Sequence, residues 1–522
     1  MSSQLNIIIH SSEGSRSHIK PILEISELLL ARGHSVTYAA AEEKLNYAKG
    51  YHINTHSLGK YGKPDSSPFT NLQEMGNTSE GMVAIVQSLL LTGYEKTVQS
   101  LGDYLDNNKC DLLICDFAAG ACSDIAHERG IPLIIGLQAI DVFGLVQAPF
   151  VTKTMSYGPI TTKGLSLFER IDYQILEPLR MSSFMVPLQH MLDAAKRKQG
   201  FVPKPTLLGD FKYGLGLANT YFGFEPAMPL PPNIQLVGPI LSPKPVKLDS
   251  KTEEFLNSHP RTLYISTGTN VVLEPSLFNS ILNATQQAIS QKIIDGAIWG
   301  LPNTRMGHFS STEKQYLLSN SHLLMMKWAP QQSILEHANT KVHLSHCGLE
   351  STFESIASAT KVLAMPFFGD QPRNAAKLVE MGIAEYVDTK ASSALLVKKL
   401  HRLIYDPANK IETHLHQAQR IAKKAARRVH LAADIVEEHA YLAKSCRLEQ
   451  PYNPRSGLPP CEMAHVVPAS ESMLMMAANM WDIQLLLFSL LMVGLYFLFK
   501  LSIKLRNLYK YAILRSKQNP KN

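Results

Sequence analysis

Short runs of consecutive apolar residues, each about a strand long, recur along this chain. They alternate with stretches whose apolar residues fall at helical spacing. Leu5–Ile9 is the first run. A Gly/Ser loop, "SSEGSRS", follows, and then "HIKPILEISELLLARGH" places Ile22, Ile25, Leu28 and Leu29 at helical spacing before stopping at Gly33. "SVTYAA" is the next strand. "CDLLICDF" (110–117) and "IPLIIGL" (131–137) read as further buried strands, with a helical stretch over 119–129 between them. Strand–helix–strand order with buried strands predicts a parallel sheet.

Residues 140–200 break this alternation and are rich in Met, Phe, Leu and Tyr. They predict a helical excursion, either packed on the core, or forming the wall of an apolar acceptor cleft or a surface that dips into lipid. Pro226, Pro229, Pro231, Pro232, Pro239, Pro243 and Pro245 then mark an interdomain linker. A second series opens at "TLYIS" (262–266) with the loop "STGTN", and strand-like runs recur at "GAIWGL", "LLMMKW", "VHLSH", "KVLAMPF" and "AEYVD". "AADIVEEHAYLAKS" (432–445) is a late helix. The predicted fold class is α/β: two facing, Rossmann-like doubly wound domains and a C-terminal transmembrane helix. The boundaries are 1–225 for the first domain, 226–260 for the linker and 261–430 for the second domain. Residues 431–480 form the late helix and connector, 481–500 the span and 501–522 a basic tail. Ligands are expected between the domains, at the carboxyl ends of the strands.

Charge changes this picture in one respect. The net charge is +7, and Lys500, Lys504, Arg506, Lys510, Arg515, Lys517 and Lys521 account for all of it. With no basic surplus left for the body, nucleic acid is not an expected partner. The tail follows the apolar run Ile483–Phe499, which is long enough to span a bilayer. Membrane lipid is therefore an expected partner, and the basic tail is expected on the cytosolic side. The N-terminus "MSSQLNIIIH" already reads as a strand and shows no signal peptide. On that reading the body stays cytosolic and the run is a tail anchor. Six cysteines, with no CxxC pair, are not expected to form a disulfide framework.

The most informative stretch is "HLSHCGLESTFES" (343–355), where an apolar strand meets His-Cys-Gly and turns at once into a helix. Three readings compete: His343, His346 and Cys347 as metal ligands, a plain strand-to-helix turn, or a phosphate cradle in which Gly348 brings the chain close to an anion at a helix N-terminus. The metal reading lacks a fourth ligand. Upstream lies "KWAPQQSILEH" and downstream "MPFFGDQPRNAA". From Trp328 to Gln371 this segment resembles the signature box of the UDP-glycosyltransferases, the family that includes plant secondary-product glycosyltransferases and animal UDP-glucuronosyltransferases.

That resemblance implies the GT-B fold and an inverting hexosyl transfer from a UDP-sugar. Trp328 would stack on uracil, and Gln331 and Glu354 would bind the ribose. His346, Gly348 and Ser351 would hold the diphosphate at the helix N-terminus, and Asp370 and Gln371 the sugar. His18 would be the catalytic base and Asp116 its partner. A helix N-terminus disfavours imidazolium, so His18 is expected to stay neutral. His34, at the far end of that helix, is expected to be structural. No metal and no resident cofactor are expected, because the helix dipole replaces a cation. Expected partners are a UDP-sugar donor, a small lipophilic acceptor (a phenol, sterol or lipid) and a second copy of the chain. Glucose is the expected sugar. Glucuronic acid is the alternative, with Arg373 as the nearby basic residue for its carboxylate. Assembly of a polyprenyl-linked sugar, and a non-catalytic UDP-sugar- or lipid-binding membrane protein, are the other readings. The late helix, span and basic tail resemble those of the animal membrane-bound members, which places the protein at the endoplasmic reticulum and leaves the side of the body open. Two departures stand out: Glu350 where many relatives carry Asn, and Ala359-Thr360-Lys361 where they usually carry Gly-Val-Pro. A carboxylate beside a diphosphate is unfavourable unless it points away.

Overall fold

The computed structural model describes residues 4–12, 16–61, 87, 91, 93–138, 140, 157–203, 213–269, 271, 273–301, 319–469 and 473–518. These form two compact units, Met1–His465 and Val466–Asn522. Among the described residues of the first unit, two parallel sheets carry the fold. The first contains β1 (Asn6–His10), β2 (Ser35–Ala40), β3 (Asn54–Ser57), β4 (Leu112–Asp116), β5 (Leu133–Leu137), β6 (Leu215–Ala218) and β7 (Ile234–Leu236), in the order β3-β2-β1-β4-β5-β6-β7. The second contains β8 (Thr262–Ser266), β9 (Gly296–Gly300), β10 (Leu323–Met326), β11 (Thr340–Ser345), β12 (Lys361–Ala364) and β13 (Ala384–Tyr386), in the order β10-β9-β8-β11-β12-β13.

Both orders are doubly wound, as the alternating pattern predicts. The chain builds outward on one side of the first strand, then crosses back and builds on the other. In the first sheet β1 lies between β2 and β4, with Ile9 opposite Tyr38 on one side and Ile114 on the other. In the second, β8 lies between β9 and β11, with Tyr264 opposite Ile298 and His343. Central strands such as β4, β5 and β8 are buried at every residue. Helices cover both faces, so these strands are apolar runs rather than alternating ones. Helix α1 (Arg16–Ala31) buries Ile19, Ile22, Leu23, Ile25 and Leu29. Gly33, at φ +92°, ends it in the left-handed conformation that glycine takes freely. The His34 N–H then returns to the Leu29 carbonyl at 3.2 Å.

Several expectations need correction. The segment after β6 does not stay with the first domain. Tyr221 and Phe224 join the core around Leu349 and Phe353 in the second. Glu225, also buried, ion-pairs with Lys377 at 2.6 Å. Strand β7 lies inside the proline-rich stretch expected as linker, yet completes the first sheet. The late helix (Val429–Glu449) packs back on α1, where Glu437 takes His34 Nε2 at 2.7 Å and pairs with Arg32. This gives His34 the structural role expected of it. Two disulfides, Cys115–Cys122 and Cys446–Cys461, are present although no disulfide framework was expected. The first joins the end of β4 to the helix that follows. The second holds the tail of the late helix to the segment whose Glu462 pairs with Arg447.

The helical excursion of 140–200 is present over Leu167–Lys198, and 141–156 lies outside the described residues. It buries Leu188 and Leu192 against Ala118, while Leu167, Phe168, Ile175 and Leu179 are exposed. In the second unit, Trp481–Gln518 is one continuous helix. Its Trp481–Arg515 stretch is long and apolar enough to cross a membrane.

Glu225 and Lys377 are both shut away from water, so removing one partner strands a buried charge. Lys377→Met is expected to cost about 3–5 kcal/mol in stability, read as a lowered unfolding midpoint of the solubilised protein. The Glu225→Leu/Lys377→Met double variant is expected to recover most of it.

Candidate functional site

Where the strand order of a parallel sheet reverses, the two neighbouring loops diverge and leave a crevice at the carboxyl ends. In the first sheet that point lies between β1 and β4. His18 stands in the first turn of α1, just after β1, and Asp116 is the last residue of β4. Imidazole Nδ1 lies 3.6 Å from Asp116 Oδ2, close to but beyond hydrogen-bonding distance, and the carboxylate is buried. The Phe117 ring stacks on the imidazole with centroids 5.1 Å apart. Gln138, after β5, donates to the His18 carbonyl at 2.7 Å. Burial acts to lower the His18 pKa, but the Asp116 carboxylate, with a further contribution from Asp370, lifts it above the ordinary imidazole value. The shift is opposite in sign to the one expected from the helix dipole. The dipole acts across one turn, whereas the carboxylate is almost in contact.

In the second sheet the reversal lies between β8 and β11. Gly268, in the loop after β8, has φ +72°, and Cys347, after β11, has φ +63°. A Cβ on either Gly268 or Gly348 would come within 2.5 Å of His346 Nε2. The imidazole therefore fits only because glycines flank it. Gly348 caps the helix α2 (Leu349–Ala357) without a side-chain hydrogen bond, leaving the first-turn N–H groups directed at the crevice. His343 has a different role from the metal ligand considered above. Its two ring nitrogens meet the Ser266 and Ser355 hydroxyls, each at 2.8 Å, and burial pushes its pKa down to about 3. It is a core histidine that ties β8 and α2 to β11.

Gln331 gathers the expected ribose-binding residues. Its amide oxygen accepts from Ser266 Oγ at 2.8 Å and Tyr264 Oη at 3.2 Å. Its nitrogen donates to Ser351 Oγ at 2.8 Å and Glu354 Oε2 at 2.7 Å. Glu354 is buried. Burial first, then the charge of Glu350, push its carboxyl up to about 7, against the pull of Lys20 and of the Gln331 bond. Trp328 stands apart from this hydrogen-bonded set. It is 63% exposed, three residues before Gln331, so its ring is open to a stacking partner.

Asp370 ends the loop after β12, and Gln371 opens the helix Gln371–Glu380 rather than lying on the loop as expected. Asp370 accepts from Asn374 at 2.7 Å, and the same amide reaches the Cys347 carbonyl at 3.0 Å. Asn374 thereby joins Asp370 to the His346–Gly348 turn. Gln371 spends its oxygen on the Phe367 and Phe368 N–H groups, at 2.9 and 3.2 Å, so its NH2 is the end suited to meet a ligand. Arg373 is not placed for a sugar carboxylate: it is buried and donates to the Pro159 and Ile160 carbonyls, at 3.3 and 3.5 Å. Sequence reasoning missed Ser266, Tyr264 and Asn374, which position the ligand-facing groups, and Lys20. An Asn four residues after Asp370 on one helix face was the available signal for Asn374.

The comparisons with known proteins agree with this geometry. The family model "UDP-glucoronosyl and UDP-glucosyl transferase" matches residues 14–421. A "UDP-glycosyltransferase FPY2" of Fusarium mangiferae is 26% identical over 466 residues, covering 83% of each chain. The "UDP-glucuronosyltransferase 2B17" of Homo sapiens is 32% identical over 325 residues, covering 59% of this chain and 57% of that one. Among solved structures, a UGT2 of Phytolacca americana, complexed with UDP-2-fluoro-glucose and pterostilbene, superposes with a TM-score of 0.56 at 17% identity, covering 83% of this chain and 99% of that one. Two facing parallel sheets, a phosphate-type turn at the reversal of the second and a His/Asp pair at the reversal of the first thus coincide with a family match across most of the chain. This protein belongs to the UDP-glucuronosyl and UDP-glucosyl transferase family, and is a UDP-glycosyltransferase of the GT-B fold.

Proposed function

We propose that this UDP-glycosyltransferase moves glucose, with inversion, onto a hydroxyl of a small lipophilic acceptor such as a phenol, sterol or lipid. The observation that carries the reading is His18 Nδ1 facing the buried Asp116 carboxylate at 3.6 Å, with the charge of Asp370 felt from the opposite domain. A carboxylate facing Nδ1 keeps the proton on that nitrogen, so Nε2 presents its lone pair to the acceptor hydroxyl. As the hydroxyl oxygen attacks the anomeric carbon, its proton passes to Nε2 and Asp116 stabilises the imidazolium. The bond from the anomeric carbon to the diphosphate oxygen breaks on the opposite face. The charge that develops there meets the α2 N-terminus, His346 and Ser351. These donors make a metal unnecessary in this scheme.

Trp328 stacks on uracil, Gln331 and Glu354 hold the ribose, and Asp370 with the Gln371 NH2 orients the sugar. Glucose is favoured over glucuronic acid because Arg373 already serves the Pro159 and Ile160 carbonyls. The Phytolacca protein's UDP-2-fluoro-glucose complex supports the same choice. The helix Trp481–Arg515 anchors the protein in the endoplasmic reticulum membrane, with its basic tail in the cytosol. With the one candidate span among the described residues, the body lies on the lumenal side. Its two disulfides suit that oxidising compartment, and they count against the cytosolic body that the N-terminus suggested.

UDP release by the detergent-solubilised protein tests the reading. The donors are UDP-glucose, UDP-glucuronic acid, UDP-galactose and UDP-N-acetylglucosamine, each with a phenol and sterol mixture in the presence of EDTA. Acceptor-dependent release is expected with UDP-glucose and a β-glycoside as product, falling about 100- to 10,000-fold in His18→Ala. Release dependent on added metal, or an α-glycoside, would remove the mechanism. UDP binding without turnover would favour the non-catalytic or polyprenyl-acceptor readings. The pH profile adds a second check. Because Asp116 raises the His18 pKa, kcat/KM is expected to rise with pH through an inflection above the ordinary imidazole value. Asp116→Asn is expected to move that inflection to lower pH and to lower the plateau.

A further inference from the structure

Glu350 is the residue that fits the donor site least well. It lies in the first turn of α2, where a diphosphate is to be received, and Glu354 lies one turn further along the same helix. Two carboxylates there would repel an anionic ligand and cancel the attraction of the helix N-terminus. The opposite domain supplies a cation. Lys20, two residues after His18 on α1, forms an ion pair with Glu350, and its Nζ lies 3.4 Å from Glu354 Oε1. All three side chains are largely withdrawn from solvent, with exposures of 15%, 31% and 6% for Lys20, Glu350 and Glu354. Such a pair is less screened by salt than a surface one. Gln331 holds the other Glu354 oxygen, Oε2, at 2.7 Å. The lysine therefore clasps one side of the carboxylate while the donor domain fixes the other.

We propose that Lys20 is a positioning residue for the donor. It neutralises Glu350, so that the α2 N-terminus stays attractive to the diphosphate, and it fastens that helix to the one carrying His18. The proposal rests on the reading of this cleft as the UDP-sugar site. Glu350 and Lys20 then form a matched pair: the charge in the phosphate turn is tolerated because the first domain cancels it, so the lysine cannot be lost while the glutamate remains.

A double-mutant cycle on the full-length, detergent-solubilised protein tests this, with calorimetric UDP binding and the donor and acceptor KM as readouts. Lys20→Met is expected to weaken UDP binding about tenfold and to raise the donor KM more than the acceptor KM. Glu350→Gln alone is expected to bind UDP at least as tightly as the unaltered protein. Lys20→Met/Glu350→Gln is expected to return to within about threefold of Glu350→Gln, and Lys20→Arg to keep near-normal binding. A double variant as weak as Lys20→Met would overturn the proposal, because the lysine's effect would then not pass through Glu350. Undiminished binding by Lys20→Met, with UDP binding lost in Glu354→Ala, would overturn it while leaving the donor-site reading intact. If the unaltered protein did not bind UDP at all, both would fall.

Discussion

The reversal of strand order in each parallel sheet is the constraint on which the site depends. A doubly wound sheet sends its chain out on both sides of the first strand, so the loops after β1 and β4, and after β8 and β11, part and leave room between them. Each crevice receives what its loops carry: His18 and Asp116 in one, the His346–Gly348 turn in the other. Neither crevice would be useful unless the two domains were held face to face. The chain secures this by giving part of each domain to the other. Tyr221 and Phe224 enter the second core, Glu225 pairs with Lys377, and Arg373 reaches back to Pro159 and Ile160. Most of these contacts are buried, so the cleft is a product of core packing as much as of surface complementarity.

Electrostatics then divides the labour between the halves. On the proposed acceptor side, the buried Asp116 carboxylate faces His18 and raises its affinity for a proton. On the donor side, uncapped backbone N–H groups, a histidine and a serine await an anion, and the two glutamates of α2 are countered by a lysine from across the cleft. Lys20 and His18 share the first turns of α1, so in the proposed scheme the lysine that steadies the donor turn and the base that meets the acceptor are carried by the same helix.

Much of the fold could be read from the chain, because buried parallel strands are written as continuous apolar runs. "TLYIS" and "SVTYAA" coincide with β8 and β2 residue for residue. The turn from β11 into α2 was also legible, since a strand, a small residue and a helix in immediate succession leave few conformations open. What escaped was everything that joins residues distant in sequence. Cys115 and Cys122 looked like apolar fillers because their pairing depends on how the helix after β4 starts. Nothing local marks Lys20, since its partners lie more than three hundred positions away. Arg373 stood close to the sugar loop in sequence, yet its side chain turns to the other domain. The sign of the His18 shift was misjudged because the helix dipole was weighed above the expected Asp116 partner, whose closeness only the fold sets.

The central claim is that the donor binds where the second sheet reverses, between the β8 and β11 loops and under the Gln331 helix. Hydrogen exchange of the solubilised protein, with and without saturating UDP, tests this most directly. The account predicts slowed exchange over Trp328–Gln332 and His346–Glu354, where the N–H groups meet the nucleotide and its diphosphate, with β2, β3 and the helix Trp481–Gln518 unchanged. Protection confined to the first domain, or absent from the His346–Glu354 turn, would contradict it.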